Sequence, residues 1–364
     1  MDQFVLLICL FILVTGASIG SFLNVVALRG LSRESIVFPA SKCPSCGTAI
    51  KWYDNIPVLS YLFTFKGKCR SCGCKVSKQY PIVEALTAIL FLLTTIVFGL
   101  TPETLLILLL LCVSIVMTIT DIKEEALLDT HLWVFIATSI VYAYFYRNIG
   151  SNLQGFCIDV LVAVVFMEAM AKGAYYVFVK PKLEDKEEPQ ENKDEENSEN
   201  KENKDEDIDP YEYMKKYKRI IGEGDTYLAA GISALLGWKI FFIILILSAV
   251  FQVLCILPQY LKILHENNQA RLLFSLSGFT IMTGLYIVLS NLFNMSFYVT
   301  LGIMAILIFF AFDVIKGLRN ANLTHDGVIA PIPWGPSLLV STFVMLYFGN
   351  HVISLIKKYI LFMF

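Results

Sequence analysis

The sequence predicts an all-α polytopic membrane protein of about eight to ten transmembrane helices, carrying a small cytoplasmic loop built on four zinc-binding cysteines. Three observations predict it. The 364 residues are 56% hydrophobic and only 16% charged, with mean hydropathy +0.65. That composition lies outside the range of soluble domains of this length. Apolar runs long enough to span a bilayer recur from residue 4 to residue 349. Cysteines pair twice as Cys-x-x-Cys-Gly inside one short polar island.

The net charge of −2 hides an asymmetry. Residues 184–209 hold 14 acids and 4 lysines, leaving 25 basic and 17 acidic residues elsewhere. The basic surplus falls mainly in short loops, where it sets topology. It forms no extended patch with interleaved aromatics, so no nucleic-acid partner is expected.

Residues 4–28 form the first span, with Arg29 and Arg33 after it and no basic residue before it. A cleaved signal peptide has the opposite polarity, so the N-terminus is expected outside and Arg29 inside. Gly16 and Gly20 within the run make a small-xxx-small face suited to helix packing. Residues 41–80 are a lysine-rich island, expected in the cytoplasm. Here Cys43-Pro-Ser-Cys46-Gly47 repeats as Cys69-Arg-Ser-Cys72-Gly73. Two such knuckles supply Cys43, Cys46, Cys69 and Cys72 as ligands of a tetrahedral Zn2+ site, closed and therefore structural. Cys74 is the odd thiol, either a spare or misregistered ligand or, more simply, unbound. Cys9, Cys112, Cys157 and Cys255 lie in apolar runs and read as buried hydrophobes.

Spans follow over 82–99, 105–120, 131–146 and 154–179. Asp159 and Glu168 in the last of these point to nearly opposite faces and read as structural or interfacial pairs. Residues 183–209 have no apolar periodicity and read as a disordered cytoplasmic loop. Residues 211–219 are aromatic and basic, an interfacial lead-in. Spans over 226–238, 240–264, 272–292, 297–312 and 336–349 complete the set of ten, with 351–364 a short amphipathic segment at the outer interface. The expected divisions are 1–29, 30–80 with the zinc loop, 81–182, 183–219 and 220–364.

Counting spans puts two carboxylates on one side. Asp121 ends an inward-running helix, and Asp225, in Gly222-Glu-Gly-Asp225, begins an outward-running one. Asp225 alone reads equally as a helix N-cap. Two acids at one membrane edge suit aspartic-protease chemistry, in which one activates water and the other protonates the amide carbonyl. Nearby, Asp129 reads as an N-cap of the fourth span, and Glu124 and Glu125 as a solvated face.

Taken together, these stretches resemble the bacterial type IV prepilin leader peptidase family, intramembrane aspartic proteases with a GxGD motif. The resemblance runs through Gly20-Ser-Phe-Leu-Asn24, Cys43-Pro-Ser-Cys46, Asp54-Asn-Ile-Pro57, Gly67-Lys-Cys-Arg-Ser-Cys72 and Tyr80-Pro-Ile-Val-Glu84. It continues through the Asp121-x7-Asp129 segment, Gly222-Glu-Gly-Asp225 and Pro333-Trp-Gly-Pro336, in family order. It implies catalysis by Asp121 and Asp225. The substrates implied are type IV prepilin and pseudopilin precursors, whose basic leader is removed at the cytoplasmic face of the bacterial inner membrane. It also implies N-methylation of the new terminus with S-adenosylmethionine, for which the sequence offers no separate binding motif. A peptidase without methyl transfer, or a membrane scaffold or transporter, are the alternative readings. The chain departs from the family in Tyr227, where many relatives have lysine, in the acidic insert, and in two surplus spans.

Overall fold

A computed structural model describes residues 3–32, 34–38, 41–43, 45–54, 56–64, 67–124, 127–147, 149, 152–176, 180, 218, 222–266 and 334–360. Among them the protein is helical, with no strand beyond two isolated bridges. The helices are α1 (Gln3–Leu31), α2 (Gln79–Phe98), α3 (Pro102–Glu124), α4 (Asp129–Tyr146), α5 (Leu153–Ala174), α6 (Glu223–Leu236), α7 (Trp238–Glu266) and α8 (Gly335–Ile360). Among the described residues, α1, α2, α3, α5 and the segment Gly335–Ser354 of α8 are long and apolar enough to cross a membrane, and Trp238–Gln252 is a shorter apolar helix. Exposed Phe4, Leu7, Leu10 and Phe11 give α1 an apolar outer face, as lipid as solvent requires.

The chain divides into two compact units: residues 1–200, 218–245 and 332–347 form the first, and 201–217, 246–331 and 348–364 the second. Within the first, helices alternate in direction. Gln79, opening α2, donates Nε2 to Asn24 Oδ1 near the end of α1 at 3.3 Å. Thr226, opening α6, donates to Glu168 near the end of α5 at 3.2 Å. One end of the unit thus gathers the closing turns of α1, α3 and α5 with the opening turns of α2, α4, α6 and α8. At the opposite end, Thr94 of α2 and Tyr347 of α8 share a 2.8 Å hydroxyl hydrogen bond.

Sequence explains much of this packing. A methyl at Gly16 would fall 2.8 Å from Ala88 Cα, and one at Gly20 would fall 2.9 Å from Glu84 Cα. The two glycines therefore let α1 and α2 touch backbone to backbone, the use their spacing suggests. Phe135 of α4 is fully buried against Gly231 of α6, where a methyl would come within 2.9 Å of the ring. Pro102 opens α3 at a position where its missing N–H costs nothing.

The pairing of Asp159 shows how α6 is stopped. Gly237 takes φ 90°, open to glycine and strained for other residues, and ends the helix after 14 residues. Arg147 donates to Ser233 O and Ala234 O, in the last turn of α6, at 3.1 and 2.6 Å. Its other nitrogen meets Asp159 Oδ2 at 2.6 Å. Asp159 is thus a structural ion pair, and Glu168 pairs with Lys172 at 3.3 Å one turn further along α5.

Three sequence expectations change. Asp225 is not the α6 N-cap: the cap residue is Gly222, and Asp225 sits in the first turn. Asp129 is the first residue of α4, with Leu128 at the cap and no side-chain cap bond. Residues 351–360 continue α8 without a break, because neither Gly349 nor Asn350 is a strong enough interruption in an otherwise helical pattern. The expected loop 183–209, the lead-in 211–217 and the spans 272–292 and 297–312 lie outside the described residues.

Candidate active site and metal centre

Asp121 lies in the last two turns of α3, a helix whose buried face is mainly apolar but also holds Thr104, Ser114 and Thr120, and the residue is 5% exposed. Beside it is the first turn of α8. A methyl on Gly335 would fall 2.6 Å from Asp121 Oδ2 and 3.5 Å from Leu127 Cδ2. Leu127, in the link between α3 and α4, also meets α6: a methyl on Gly224 would fall 3.0 Å from its Cδ1. Leu127 therefore bridges Gly335, which touches Asp121, and Gly224, which precedes Asp225. Three segments far apart in sequence meet at this point, and two of them contribute a glycine whose missing side chain makes room. Asp225 is half-buried, and its Oδ2 lies 4.0 Å from the place of a Gly222 methyl. Tyr227, two residues on, is exposed, with its ring tilted against that of Trp133 at 6.2 Å between centroids.

The cysteine loop sits between α1 and α2, at the same end of the unit. Its two knuckles have the same backbone. Cys43 N donates to Thr48 O at 2.9 Å and Gly47 N to Cys43 O at 2.9 Å; Cys69 N donates to Cys74 O at 2.8 Å and Gly73 N to Cys69 O at 2.9 Å. Gly47 and Gly73 adopt φ 69° and 72°, the left-handed turn the repeat predicts. Five thiols converge. Cys43 Sγ lies 3.9 Å from Cys72 Sγ and 3.4 Å from Cys74 Sγ, and Cys46 Sγ lies 3.9 Å from Cys69 Sγ. A tetrahedral zinc with bonds of about 2.3 Å separates its sulfurs by about 3.8 Å, so this donor set fits the metal. The sulfurs of Cys43, Cys69, Cys72 and Cys74 all lie within 4.8 Å of one another and can hold a metal ion. The thiols share protons unevenly: hydrogen bonding to Thr48 brings Cys46 down to about 6. At Cys72 the backbone of Cys74 pulls the other way but is outweighed, chiefly by the neighbouring thiols and burial, and the group stands at about 12.

The segment between the two knuckles is held by residues whose roles the sequence left unassigned. Glu84, an acid inside the α2 run, accepts the Val58 N–H at 2.7 Å. Val58 has φ 59°, a rare conformation for a β-branched residue. Asp54 pairs with Arg70 at 2.9 Å. The signal for Glu84 was present, since an acid within a span is costly unless it is used.

Residues 14–98 match the family model of the Bacterial Peptidase A24 N-terminal domain, and residues 108–257 that of the Type IV leader peptidase family. The chain belongs to this family. It is 47% identical over 97 residues to the prepilin leader peptidase/N-methyltransferase of Myxococcus xanthus, covering 27% of this chain and 29% of the relative. It is 34% identical over 170 residues to the type 4 prepilin-like proteins leader peptide-processing enzyme of Escherichia coli, covering 42% and 62%. It is 38% identical over 107 residues to the prepilin leader peptidase/N-methyltransferase of Bacillus subtilis, covering 29% and 43%. The matched segments span less than two thirds of the length of these relatives. No solved structure matches the chain. The first family segment contains both knuckles, and the second contains Asp121 and Asp225.

Proposed function

We propose that this family member is an intramembrane aspartic endopeptidase. It removes the basic leader of type IV prepilin and pseudopilin precursors, then N-methylates the exposed terminus with S-adenosylmethionine. The observation that carries the peptidase reading is the junction at Leu127, where the segments bearing Asp121 and Asp225 meet over Gly224 and Gly335. Asp225 lies in the first turn of α6, at the positive end of the helix. Asp121 lies near the C-terminal end of α3, buried against the Gly335 turn of α8. In this reading Asp225 takes a proton from water as the water attacks the scissile carbonyl. Asp121 gives its proton to the carbonyl oxygen, and the tetrahedral intermediate then collapses as the leaving amine is protonated.

Sidedness follows from charge. The lysine surplus of the loop between α1 and α2 supports a cytoplasmic location for that loop, and with it for both acids at the cytoplasmic face of a bacterial inner membrane. A reducing compartment keeps the cysteines available for Zn2+, held as a closed structural centre. Methyl transfer is supported by the names of the Myxococcus and Bacillus relatives, which join peptidase and N-methyltransferase.

The test is a detergent-purified protein with a type IV prepilin and S-adenosylmethionine, read by mass spectrometry for leader loss and one methyl increment. Both products from the wild type, and no cleavage by Asp121→Asn or Asp225→Asn, are expected. Cleavage without methylation would leave a peptidase alone. No cleavage of several prepilins by folded protein would return the chain to a scaffold or transporter.

A further inference from the structure

The two knuckles share a bridge and three backbone hydrogen bonds at an offset of 26 residues. The bridge Lys42–Ala49 corresponds to Lys68–Lys75, and the bond from Ile50 N to Ser41 O corresponds to that from Val76 N to Gly67 O. At this offset Cys43 matches Cys69, Cys46 matches Cys72, and Gly47 matches Gly73. Thr48 then matches Cys74. The residue after the knuckle glycine is a hydroxyl in one half of the centre and a thiol in the other.

The two side chains behave differently. Thr48 Oγ1 stays within its own knuckle, 3.2 Å from Cys46 Sγ. Cys74 Sγ reaches across the pseudo-twofold to Cys43, at 3.4 Å. It joins Cys43, Cys69 and Cys72 in a quartet of mutually close sulfurs, while Cys46, exposed at the rim, stays 3.9 Å from Cys69. Five thiols therefore border a space that takes four. Cys43, Cys69 and Cys72 are common to both possible quartets.

We propose that Cys74 is a zinc-ligating thiol that exchanges with Cys46 at the fourth coordination position. This rests on the reading that the cluster holds zinc. In the exchange a Zn–S bond forms to Cys74 as the one to Cys46 breaks; Cys74 gives up its proton and Cys46 takes one, so the charge at the metal is unchanged. The centre then keeps four thiolates when either Cys46 or Cys74 is lost. The direct consequence is redundancy at one ligand position and none at the other three.

The experiment uses the full-length protein in detergent, with zinc counted by elemental mass spectrometry after dialysis against a moderate chelator. Cys46→Ser and Cys74→Ser are each expected to keep close to one zinc per chain. Cys43→Ser and the double variant Cys46→Ser/Cys74→Ser should lose it. Because a variant can lose metal by misfolding, the zinc-loaded wild type is also alkylated with iodoacetamide and its peptides mapped. One loop thiol per chain should be modified, divided between Cys46 and Cys74. Zinc loss in Cys46→Ser as complete as in Cys43→Ser, with alkylation confined to Cys74, would make Cys74 a bystander and overturn the proposal. Alkylation confined to Cys46, with zinc lost in Cys74→Ser, would make Cys74 a fixed ligand and overturn the exchange. A folded wild type with no zinc would instead overturn the zinc reading itself.

Discussion

Gly335→Ala tests whether the α8 turn positions Asp121 for catalysis. Gly335 has no positive φ, so alanine avoids left-handed strain, and as the first residue of α8, before Pro336, it gains none of the preference of a helix interior. Its methyl would stand 2.6 Å from Asp121 Oδ2. Carbon and oxygen in ordinary contact sit about 3.3 Å apart or more, so the carboxylate must withdraw by about 0.7 Å. A displacement of that order at a reacting group costs up to roughly a hundredfold in rate. The expected result is a kcat for prepilin cleavage reduced roughly 10- to 100-fold, or about 1.4–2.7 kcal/mol of transition-state stabilisation. KM and the thermal midpoint should change little, because the leader-binding surface and the helix are retained. The same logic grades two further variants. Gly224→Ala brings a methyl within 3.0 Å of Leu127 Cδ1 and 3.1 Å of its Cβ, and so presses on the link rather than on a carboxylate; its loss of kcat should be smaller. Gly222→Ala meets only Asp225 Oδ2, at 4.0 Å, and should be the mildest of the three. Initial rates with a prepilin peptide and a melting curve for each variant complete the assay. Wild-type kcat in Gly335→Ala, or an equal loss in Gly222→Ala, would refute the reasoning.

Three other outcomes follow from the packing. Asp159→Ala removes the partner of Arg147 and loosens the cap on α6; breaking a partly buried ion pair of this kind should cost about 1–3 kcal/mol, read as a lower thermal midpoint in detergent. A midpoint unchanged within error would mean that the carbonyls of Ser233 and Ala234 suffice to hold Arg147. Gly20→Ala drives a methyl against the Glu84 backbone, which cannot give as a side chain can, and should destabilise by about 1–3 kcal/mol on the same melting curve. Chelating the metal should open residues 41–76 to proteolysis while the far-UV helical signal persists, because the knuckles have almost no apolar core of their own; protection unchanged by chelation would count against a structural metal.

Much of this was legible in the residues. Apolar runs and the charges at their ends predict where helices cross and which way, since a bilayer leaves no other way to satisfy backbone hydrogen bonds. The spacing of Gly16 and Gly20 predicts a close helix contact, and the repeated Cys-x-x-Cys-Gly predicts paired knuckles, because both are local consequences of a missing side chain. Alternating spans also put Asp121 and Asp225 at one end of the bundle before any coordinates. Helix boundaries were less legible: α8 runs past residue 349 and α6 starts at Glu223, ends set by capping and packing rather than by hydropathy.

What the chain alone determined, then, is its helical membrane architecture, the shared end of the bundle at which its acids lie and the repeat that gathers its thiols. Only the tertiary structure decided what stands beside each group: Gly335 against Asp121, Leu127 bridging to Gly224, and Cys74 among the sulfurs where the repeat had placed Thr48 in the other half. The reason is physical. Spanning and turning are dictated by neighbours along the chain, whereas these contacts join residues up to about two hundred positions apart, and which of them meet depends on how whole helices pack.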